Sequence, residues 1–447
     1  MADAAPTTAA SGDGIGAAHR AAVTRSPGPP PPPLSEADVA AAVRVLRDPA
    51  TIRARCGAIT AAVAAGHSPH FTIDRSRLQP VAERVAALTR RRFPDLQIPY
   101  HSRWRHFEAG GVDRRERLDA LLVGRGADEI ARSRIELTLI SVLLDAGAGP
   151  GWRYIEYPFV SQRYARSEGL AVASFRAFTA GRFSSDADDP CRVDAKALMA
   201  IDAATLTSIF QVDAGNPLVG IDGRVALLRR LGEVLHDQPQ LFGLDGRPGM
   251  LFDALAARAP DQDRTLQAAD ILGLLLDAFS PIWPSGQRFH GQPVGDVWPH
   301  PDAGGSGPSA GLVPFHKLSQ WLAYSLLEPF EWAGFTVAGL DALTGLPEYR
   351  NGGLLLDERV VVPLQPRRLT KPMTPADPWI VEWRALTVSL LDALAPLVRD
   401  ALGVPSSALP LACILEGGTW AAGREVAAEL RKGGSPPVTV DSDGTVF

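Results

Sequence analysis

The stretch VPFHKLSQWLAYSLL, residues 313–327, is the clearest indication of the fold. Its apolar residues recur every three or four positions, which predicts a helix over 314–328. Lys317, Gln320 and Trp321 share one face of that helix, so an ammonium, an amide and an indole lie together. Burying a lysine without a partner would be costly. Lys317 is therefore either a ligand-binding residue or a helix-end lysine whose ammonium reaches solvent.

The same spacing recurs along most of the chain. It predicts further helices over 77–92, 115–124, 127–146, 168–180, 203–211, 223–236, 264–278, 381–401 and 419–432. Strand patterns are few. LLLDERVVVPL at 354–364 predicts a small β-hairpin around Asp357-Glu358, and PPVTVDSDGTVF at 436–447 predicts a short C-terminal β-ribbon. We therefore predict a mainly α fold.

Composition separates the start of the chain from the rest. Residues 1–34 are rich in alanine and end in SPGPPPPPL, a composition that predicts a disordered tail. The 447-residue chain is 46% apolar, so the remainder can bury a substantial core. We predict that residues 35–447 form a single, mainly helical catalytic domain.

Charge and cysteine content exclude several classes of protein. The net charge is −5, whereas duplex DNA binding needs clustered Lys and Arg, so no nucleic-acid polymer is expected as a partner. No apolar run reaches the roughly 18 residues that span a bilayer, so no membrane is expected either. Cys56, Cys191 and Cys413 are far apart and follow no signal peptide, which favours a reducing cytoplasm. No metal-ligand or phosphate-loop motif occurs, so neither a metal nor another cofactor is expected.

The first polar cluster is HSRWRHF, residues 101–107. It supplies His101, Arg103, Trp104, Arg105 and His106. Two arginines and two imidazoles beside aromatic rings suit a phosphate and a stacked base. The alternative is a surface segment whose arginines extend into solvent.

A second cluster, RSEG at residues 166–169, precedes a predicted helix. The unpaired amides of a helix N-terminus hold anions well, and Arg166 would add a positive charge there. The alternative is an ordinary helix cap formed by Ser167.

Two further segments place a glutamate close to a glycine pair, LTGLPEYRNGG at 343–353 and ILEGGTWAAGRE at 414–425. They supply Glu348, Tyr349, Arg350, Glu416, Trp420 and Arg424. Glycines beside a carboxylate let a ligand approach closely. The alternatives are an ion-paired Glu348 in a solvated turn and a Glu416 that pairs with Arg424.

Together these residues suit hydrolysis of a sugar C–N bond. The reaction passes through an oxocarbenium-like state that a carboxylate stabilises, and Glu348 and Glu416 are the available pair. The leaving base needs aromatic or amide contacts, for which the candidates are Trp321, Tyr349, Trp420 and Gln320. A 5′-phosphate needs cations, for which the candidates are Arg103, Arg105, Arg166, His316, Arg350 and Lys317. Lys317 could instead fix a ribose hydroxyl.

Several of these blocks, among them HSRWRHFEAGGVDR, VPFHKLSQWL, LTGLPEYRNGG and LEGGTWAAGRE, resemble a poorly characterised protein family linked to uracil catabolism in fungi and bacteria. The resemblance covers nearly everything after residue 35. It implies a small-molecule substrate, either a nucleotide or a ribosyl-urea compound, and other enzymes of uracil catabolism as candidate partners.

More distantly, the chain is similar to the queuosine-salvage nucleotide N-glycosidases. This similarity implies a helical, DNA-glycosylase-like fold. Lys317 and Gln320 match a lysine and a glutamine of that family, and Glu348 falls at its catalytic aspartate. The Tyr-Arg pair after Glu348 also matches, and Glu416 falls at a late aspartate four residues before a tryptophan.

Two departures from the salvage enzymes matter. Both acids are glutamate here, which moves each charge outward by about one bond length. The block at 101–107 has no counterpart, so it would read the pyrimidine-derived group.

These resemblances lead us to expect an N-glycosidase of uracil breakdown, with Glu348 as the catalytic carboxylate. Glu416 would anchor ribose hydroxyls or assist the water, and Lys317 would orient the phosphate or sugar. The alternatives are an amidohydrolase or ureidohydrolase acting on the opened ring, and a non-catalytic binding protein of the same pathway.

Overall fold

The computed structural model describes residues 33–145, 147–149, 151–157, 162–259, 263–284 and 286–441. The predicted tail therefore lies outside the described residues as far as residue 32. In chain order the α-helices are α1 Glu36–Arg47, α2 Pro49–Ala64, α3 Leu78–Arg92, α4 Arg103–Phe107, α5 Arg114–Leu121, α6 Ala127–Leu143, α7 Arg166–Thr179, α8 Ala195–Ala200, α9 Ala203–Ile209, α10 Ile221–Asp237, α11 Pro239–Phe242, α12 Leu251–Ala256, α13 Ala268–Phe279, α14 Lys317–Trp332, α15 Tyr349–Asp357, α16 Pro378–Leu402, α17 Leu411–Ile414 and α18 Trp420–Leu430.

Strands are short and occur in pairs. They are β1 Phe71–Ile73, β2 Tyr154–Ile155, β3 Arg163–Tyr164, β4 Thr265–Gln267, β5 Gln287–Phe289, β6 Gln292–Gly295, β7 Val297–Pro299, β8 Leu312–Pro314, β9 Thr336–Ala338 and β10 Val361–Pro363. β1 pairs with β10, β2 with β3, β5 with β6 and β7 with β8, all antiparallel, while β4 and β9 pair in parallel. The prediction of a mainly α fold is confirmed.

The predicted helices correspond to observed helices whose ends lie within four residues of the prediction. The β-hairpin predicted at 354–364 is wrong. Residues up to Asp357 belong to α15, and β10 pairs with β1, far away in sequence. Leu354, Leu355 and Leu356 are all buried, and a short apolar run of this kind does not distinguish a buried helix from a strand.

The predicted C-terminal ribbon is only partly within the described residues. Val440 forms one isolated parallel bridge with Met373, and residues 442–447 lie outside the described ranges. No second strand follows within the described part of this segment.

Most helices pack around one large hydrophobic core, Val43 and Leu46 of α1 belong to a smaller second cluster, and residues from Glu36 onward form one compact unit. α14 is buried at every residue from 318 to 330, so its polar side chains lie inside the protein together with its apolar ones. It packs against α6 and α13, while α16 packs against α2 and α3. α15 packs against α18 and contacts the π-helical turn Leu415–Thr419. The segments that carry Glu348 and Glu416 are therefore neighbours.

Gly423 permits the close approach of α18 to α15. A Cβ at this position would overlap the Arg350 carbonyl oxygen, so Gly423→Ala is expected to lower the free energy of unfolding by about 1–3 kcal/mol. Gly57→Ala is the matched control, because Gly57 lies in α2 with open space around it. That substitution should be neutral or raise stability by up to about 1 kcal/mol. Urea denaturation measures both, and equal stabilities would contradict the proposed close contact.

Candidate active site

The N-terminus of α14 is fixed by a buried ion pair. Arg384 donates hydrogen bonds of 2.8 and 2.7 Å to the two carboxylate oxygens of Asp296. The Trp298 indole donates to the same carboxylate at 2.6 Å, and the backbone amide of Lys317 donates to it at 3.1 Å. This network sets where α14 begins and therefore where the Lys317 side chain starts.

The Lys317 ammonium lies in a poorly solvated, charged environment. Burial lowers the pKa of Lys317, and the carboxylate of Glu348 opposes this change. Arg384 lowers the pKa further, whereas Asp296 and Asp145 raise it. The charges of three acids, Glu348 first among them, therefore act on the Lys317 ammonium.

Glu348 forms the N-cap of α15. Its carboxylate oxygens accept hydrogen bonds from the amides of Arg350 at 2.8 Å and Asn351 at 2.6 Å. The side chain is buried, with the residue only 6% exposed. Burial raises the pKa of Glu348, while the two amide hydrogen bonds and the charges of Lys317 and His101 act in the opposite direction. The solvated turn considered from the sequence is therefore wrong.

The two residues after Glu348 differ in exposure and in their contacts. Tyr349 is 38% exposed, and its pKa is raised by burial of the hydroxyl and by Glu348. Arg350 is buried and donates a hydrogen bond of 3.0 Å to the Gly434 carbonyl, with its guanidinium 5.1 Å from the Tyr349 ring centre. Arg350 therefore holds the C-terminal segment, and its guanidinium is less suited to a phosphate.

Glu416 lies in the π-helical turn and binds His101. The carboxylate and the Nδ1 atom of His101 are 2.8 Å apart, and Arg92 donates to the other carboxylate oxygen at 3.0 Å. Burial alone would raise the pKa of Glu416, but the hydrogen bond to His101 and the charge of Arg92 lower it below its ordinary value. The ion pair with Arg424 considered from the sequence is wrong. Arg424 lies 4.9 Å from the Trp420 ring centre and 4.0 Å from Glu168.

Aromatic rings line this region. The His101 ring centre is 6.5 Å from that of Trp321 and 6.2 Å from that of Trp420. His106 meets Trp321 edge-on at 5.9 Å, and the guanidinium of Arg103 lies 5.7 Å from the Trp321 ring centre. Burial lowers the pKa of His106 well below its ordinary value, and the charge of Arg103 adds to the effect. His106 is therefore uncharged at neutral pH and packs beside Trp321 at the edge of the site.

Several predicted binding residues make contacts elsewhere. Arg105 pairs with Glu328 at 2.6 Å and Glu108 at 2.9 Å, on the wall of a separate cavity of about 270 Å³. Trp104 packs edge-on against Trp332 at 4.7 Å in the core. His316 bonds the Leu46 carbonyl through Nε2 at 2.8 Å. These three side chains are not available for the substrate contacts predicted from the sequence, because local spacing does not show which way a side chain turns.

The first turn of α7 begins with Arg166 and is contacted by Arg103 of α4. Arg103 is fully buried, pairs with Asp145 at 3.1 Å and donates to the Ser167 carbonyl at 3.2 Å. Arg166 begins α7 and is exposed, and its charge opposes part of the rise in the pKa of Tyr349. Arg166 is thus close to the Glu348 region with a side chain that can reach a ligand, whereas the charge of Arg103 is neutralised.

The described residues leave buried polar atoms without hydrogen-bond partners near Glu348. These atoms are both polar atoms of the Gln320 carboxamide, Oδ1 of Asn351, Oγ1 of Thr344 and Nε1 of Trp321. The Gln320 carboxamide approaches the Tyr324 hydroxyl, which donates to the Thr344 carbonyl at 2.8 Å and can still accept a hydrogen bond from the Gln320 amide. Buried polar groups are normally satisfied, so these atoms are candidates for contacts with a polar ligand.

Three important residues were not predicted as site residues. Arg384 is one arginine within the apolar stretch PWIVEWRALTVSLL, and that isolation was the available signal. Asp145 and Asp296 lie in loops beside glycine or tryptophan, and their arginine partners are distant in sequence.

No cluster of three metal-binding side chains occurs among the residues that the structure describes. Across the same ranges, each helix is too short or too polar to cross a bilayer.

Comparison with known proteins identifies the family. The model of the family described as "Protein of unknown function (DUF1688)" matches residues 45–447. The chain belongs to the DUF1688 family. Among curated relatives, "Uracil catabolism protein 4" of Lachancea kluyveri is 40% identical over 413 residues, covering 86% of this chain and 93% of that protein. "Protein urg3" of Schizosaccharomyces pombe is 40% identical over 386 residues, covering 84% and 92%. The family predicted from the sequence blocks is confirmed.

Proposed function

We propose that this DUF1688 protein is an N-glycosidase of uracil catabolism. It would release ribose phosphate from a uracil-derived nucleotide or from its ring-opened ureido product. The observation that carries the proposal is the buried Glu348 carboxylate, held by two backbone amides and interacting with the charge of Lys317. The name of the Lachancea kluyveri relative supports the pathway.

Glu348 has the properties required near the anomeric carbon. Its carboxylate orientation is fixed before substrate binds, so no reorganisation is needed as positive charge develops on the sugar. Each oxygen that accepts one amide retains a lone pair for water or for a sugar hydroxyl. Lys317 would donate a hydrogen bond to a ribose hydroxyl or to the phosphate. Its positive charge would also stabilise the ionised carboxylate of Glu348.

The surroundings of Glu348 suit a planar, amide-containing leaving group. Trp321, Trp420 and Tyr349 offer ring surfaces for stacking. The Gln320 carboxamide oxygen has no hydrogen-bond partner among the described residues, and an N–H of a ureido group could donate to it.

For a 5′-phosphate, Arg166 is the best placed of the predicted cations because its side chain is exposed, and Lys317 is a second candidate because it lies near Glu348. Arg103, Arg105, His316 and Arg350 already bind protein groups, as described above. The relation to the queuosine-salvage enzymes and their DNA-glycosylase-like fold stays a prediction, as does a partnership with other enzymes of uracil catabolism.

Product analysis tests the proposed function. The purified protein is incubated with UMP, uridine, ribosylurea and ribosylurea 5′-phosphate, and ribose, ribose phosphate and ammonia are measured. Release of sugar or sugar phosphate is expected. Ammonia with an intact glycoside would instead identify an amidohydrolase or ureidohydrolase, and calorimetric binding without turnover would identify a binding protein.

A further inference from the structure

His101 contacts one carboxylate of the site and acts electrostatically on the other. Its Nδ1 atom is 2.8 Å from a carboxylate oxygen of Glu416, and its charge also acts on Glu348. The sequence-based hypothesis placed Glu416 on ribose hydroxyls or on the water. In the structure that carboxylate is occupied by the imidazole, so a sugar hydroxyl would have to compete with His101 for it.

Arg92 fixes the carboxylate that orients His101. It donates to Glu416 Oε1 at 3.0 Å and to the Gly417 carbonyl at 3.0 Å, and also to the Glu416 carbonyl. A carboxylate held in this way accepts a proton-bearing Nδ1, which directs the chemistry of the imidazole to Nε2. The same logic operates wherever an acid orients a catalytic histidine.

Nε2 of His101 is available to a ligand. The ring centre lies 6.5 Å from that of Trp321 and 6.2 Å from that of Trp420, and about a tenth of the side chain is exposed. Within the described ranges, the His101 side chain makes one hydrogen bond, through Nδ1 to Glu416. The imidazole is thus fixed on one side and open on the other, close to the stacking surfaces proposed for the leaving group.

We propose that His101 is the general acid of the reaction, that Glu416 is its positioning residue, and that the substrate is a ribosyl urea rather than an intact uracil nucleotide. This inference rests on the proposed N-glycosidase function. In this role the imidazole of His101 starts doubly protonated, with Nδ1–H bonded to Glu416 and a second proton on Nε2. As the C1′–N bond breaks, its electron pair goes to the nitrogen, and the Nε2 proton goes to the same nitrogen. Water then bonds to C1′, and its proton returns to Nε2.

The substrate class follows from the leaving group. The anion of uracil at N1 is delocalised over two carbonyl groups, so it departs without much help from an acid. A ureido nitrogen has one adjacent carbonyl, and its anion is far more basic, so departure requires protonation. His101, whose orientation Glu416 and Arg92 fix, supplies that proton. General acids of this kind raise the reaction rate by about 10²–10⁴-fold.

A leaving-group series tests the inference. Wild type, His101→Gln and Glu416→Gln are assayed on ribosylurea, uridine and 4-nitrophenyl β-D-ribofuranoside, the last of which releases a stable anion. His101→Gln is expected to lower kcat/KM on ribosylurea by about 10²-fold or more, but by less than about tenfold on the nitrophenyl riboside. Glu416→Gln should show the same selectivity with a smaller loss. His236→Gln is the matched control, because His236 is exposed on α10, and it should change neither rate.

The outcomes separate the two proposals. Equal losses on all cleaved substrates, or no loss, would overturn the role of His101 while leaving the N-glycosidase function standing. Cleavage of uridine or UMP without cleavage of ribosylurea would overturn the substrate class.

If wild type cleaves ribosylurea alone, added imidazole should restore activity to His101→Gly, and failure of this rescue counts against the acid role. A wild type that cleaves no riboside or its 5′-phosphate refutes the proposed function and this inference with it.

Discussion

Replacing Glu348 by glutamine is expected to lower release of ribose or ribose phosphate about 10³-fold. The substitution removes the negative charge that would oppose the oxocarbenium-like sugar, while one amide-accepting oxygen stays in place. The glutamine can thus still cap α15, so the free energy of unfolding should fall by no more than about 1 kcal/mol. Steady-state kinetics with the cleaved substrate measures the first effect, and urea denaturation measures the second.

Glu429→Gln is the matched control for this experiment. Glu429 is on α18 and pairs with Arg84 near the surface, so its neutralisation should change neither activity nor stability by much. Full activity of Glu348→Gln would show that the glutamate only caps α15, and the N-glycosidase assignment of this residue would fail. A large loss of stability together with activity would also count against a specific chemical role.

Replacing Asp296 by asparagine is expected to lower the free energy of unfolding by about 3–5 kcal/mol. The change leaves the guanidinium of Arg384 buried without its counter-charge and weakens the acceptor for the Lys317 amide. Asp377→Asn is the control, because Asp377 pairs with Arg368 in a more exposed position and should contribute less than about 1 kcal/mol. Similar losses in the two variants would contradict the importance assigned to the buried pair.

The same pair predicts how stability depends on pH. Burial alone would raise the pKa of Asp296, but the charge and hydrogen bonds of Arg384 lower it below its ordinary value. A carboxyl whose pKa is lower in the folded state stabilises the protein above its unfolded pKa, near about 3.9, and this contribution is lost as the pH falls through the folded value. The stability difference between wild type and Asp296→Asn should therefore shrink below about pH 4. A difference that stays constant into strong acid would contradict this assignment.

The local sequence pattern was sufficient to predict the helices and some residues of the candidate site. The apolar spacing in 313–327 predicted α14, and the polar face of that helix carries Lys317 and Gln320 as expected. The run from Leu354 to Leu356 gave a wrong strand prediction, because a buried helix and a buried strand both allow consecutive apolar residues. The segment at 101–107 was predicted to bind substrate as a whole. Its residues instead divide between the site, where His101 lies, and a separate cavity beside Arg105.

The sequence by itself determined the mainly α class and the family, and it indicated Glu348, Lys317 and Trp321 as residues to examine. The helical class depends on apolar spacing within short segments, whereas the family and the role of Glu348 follow from the resemblance carried by particular sequence blocks. Only the tertiary structure decided that Glu416 binds His101, 315 residues away, and that Asp296 pairs with Arg384, 88 residues away. The energy of a charge interaction or a hydrogen bond depends on burial and on the partner that packing brings near. The local sequence pattern encodes neither of these.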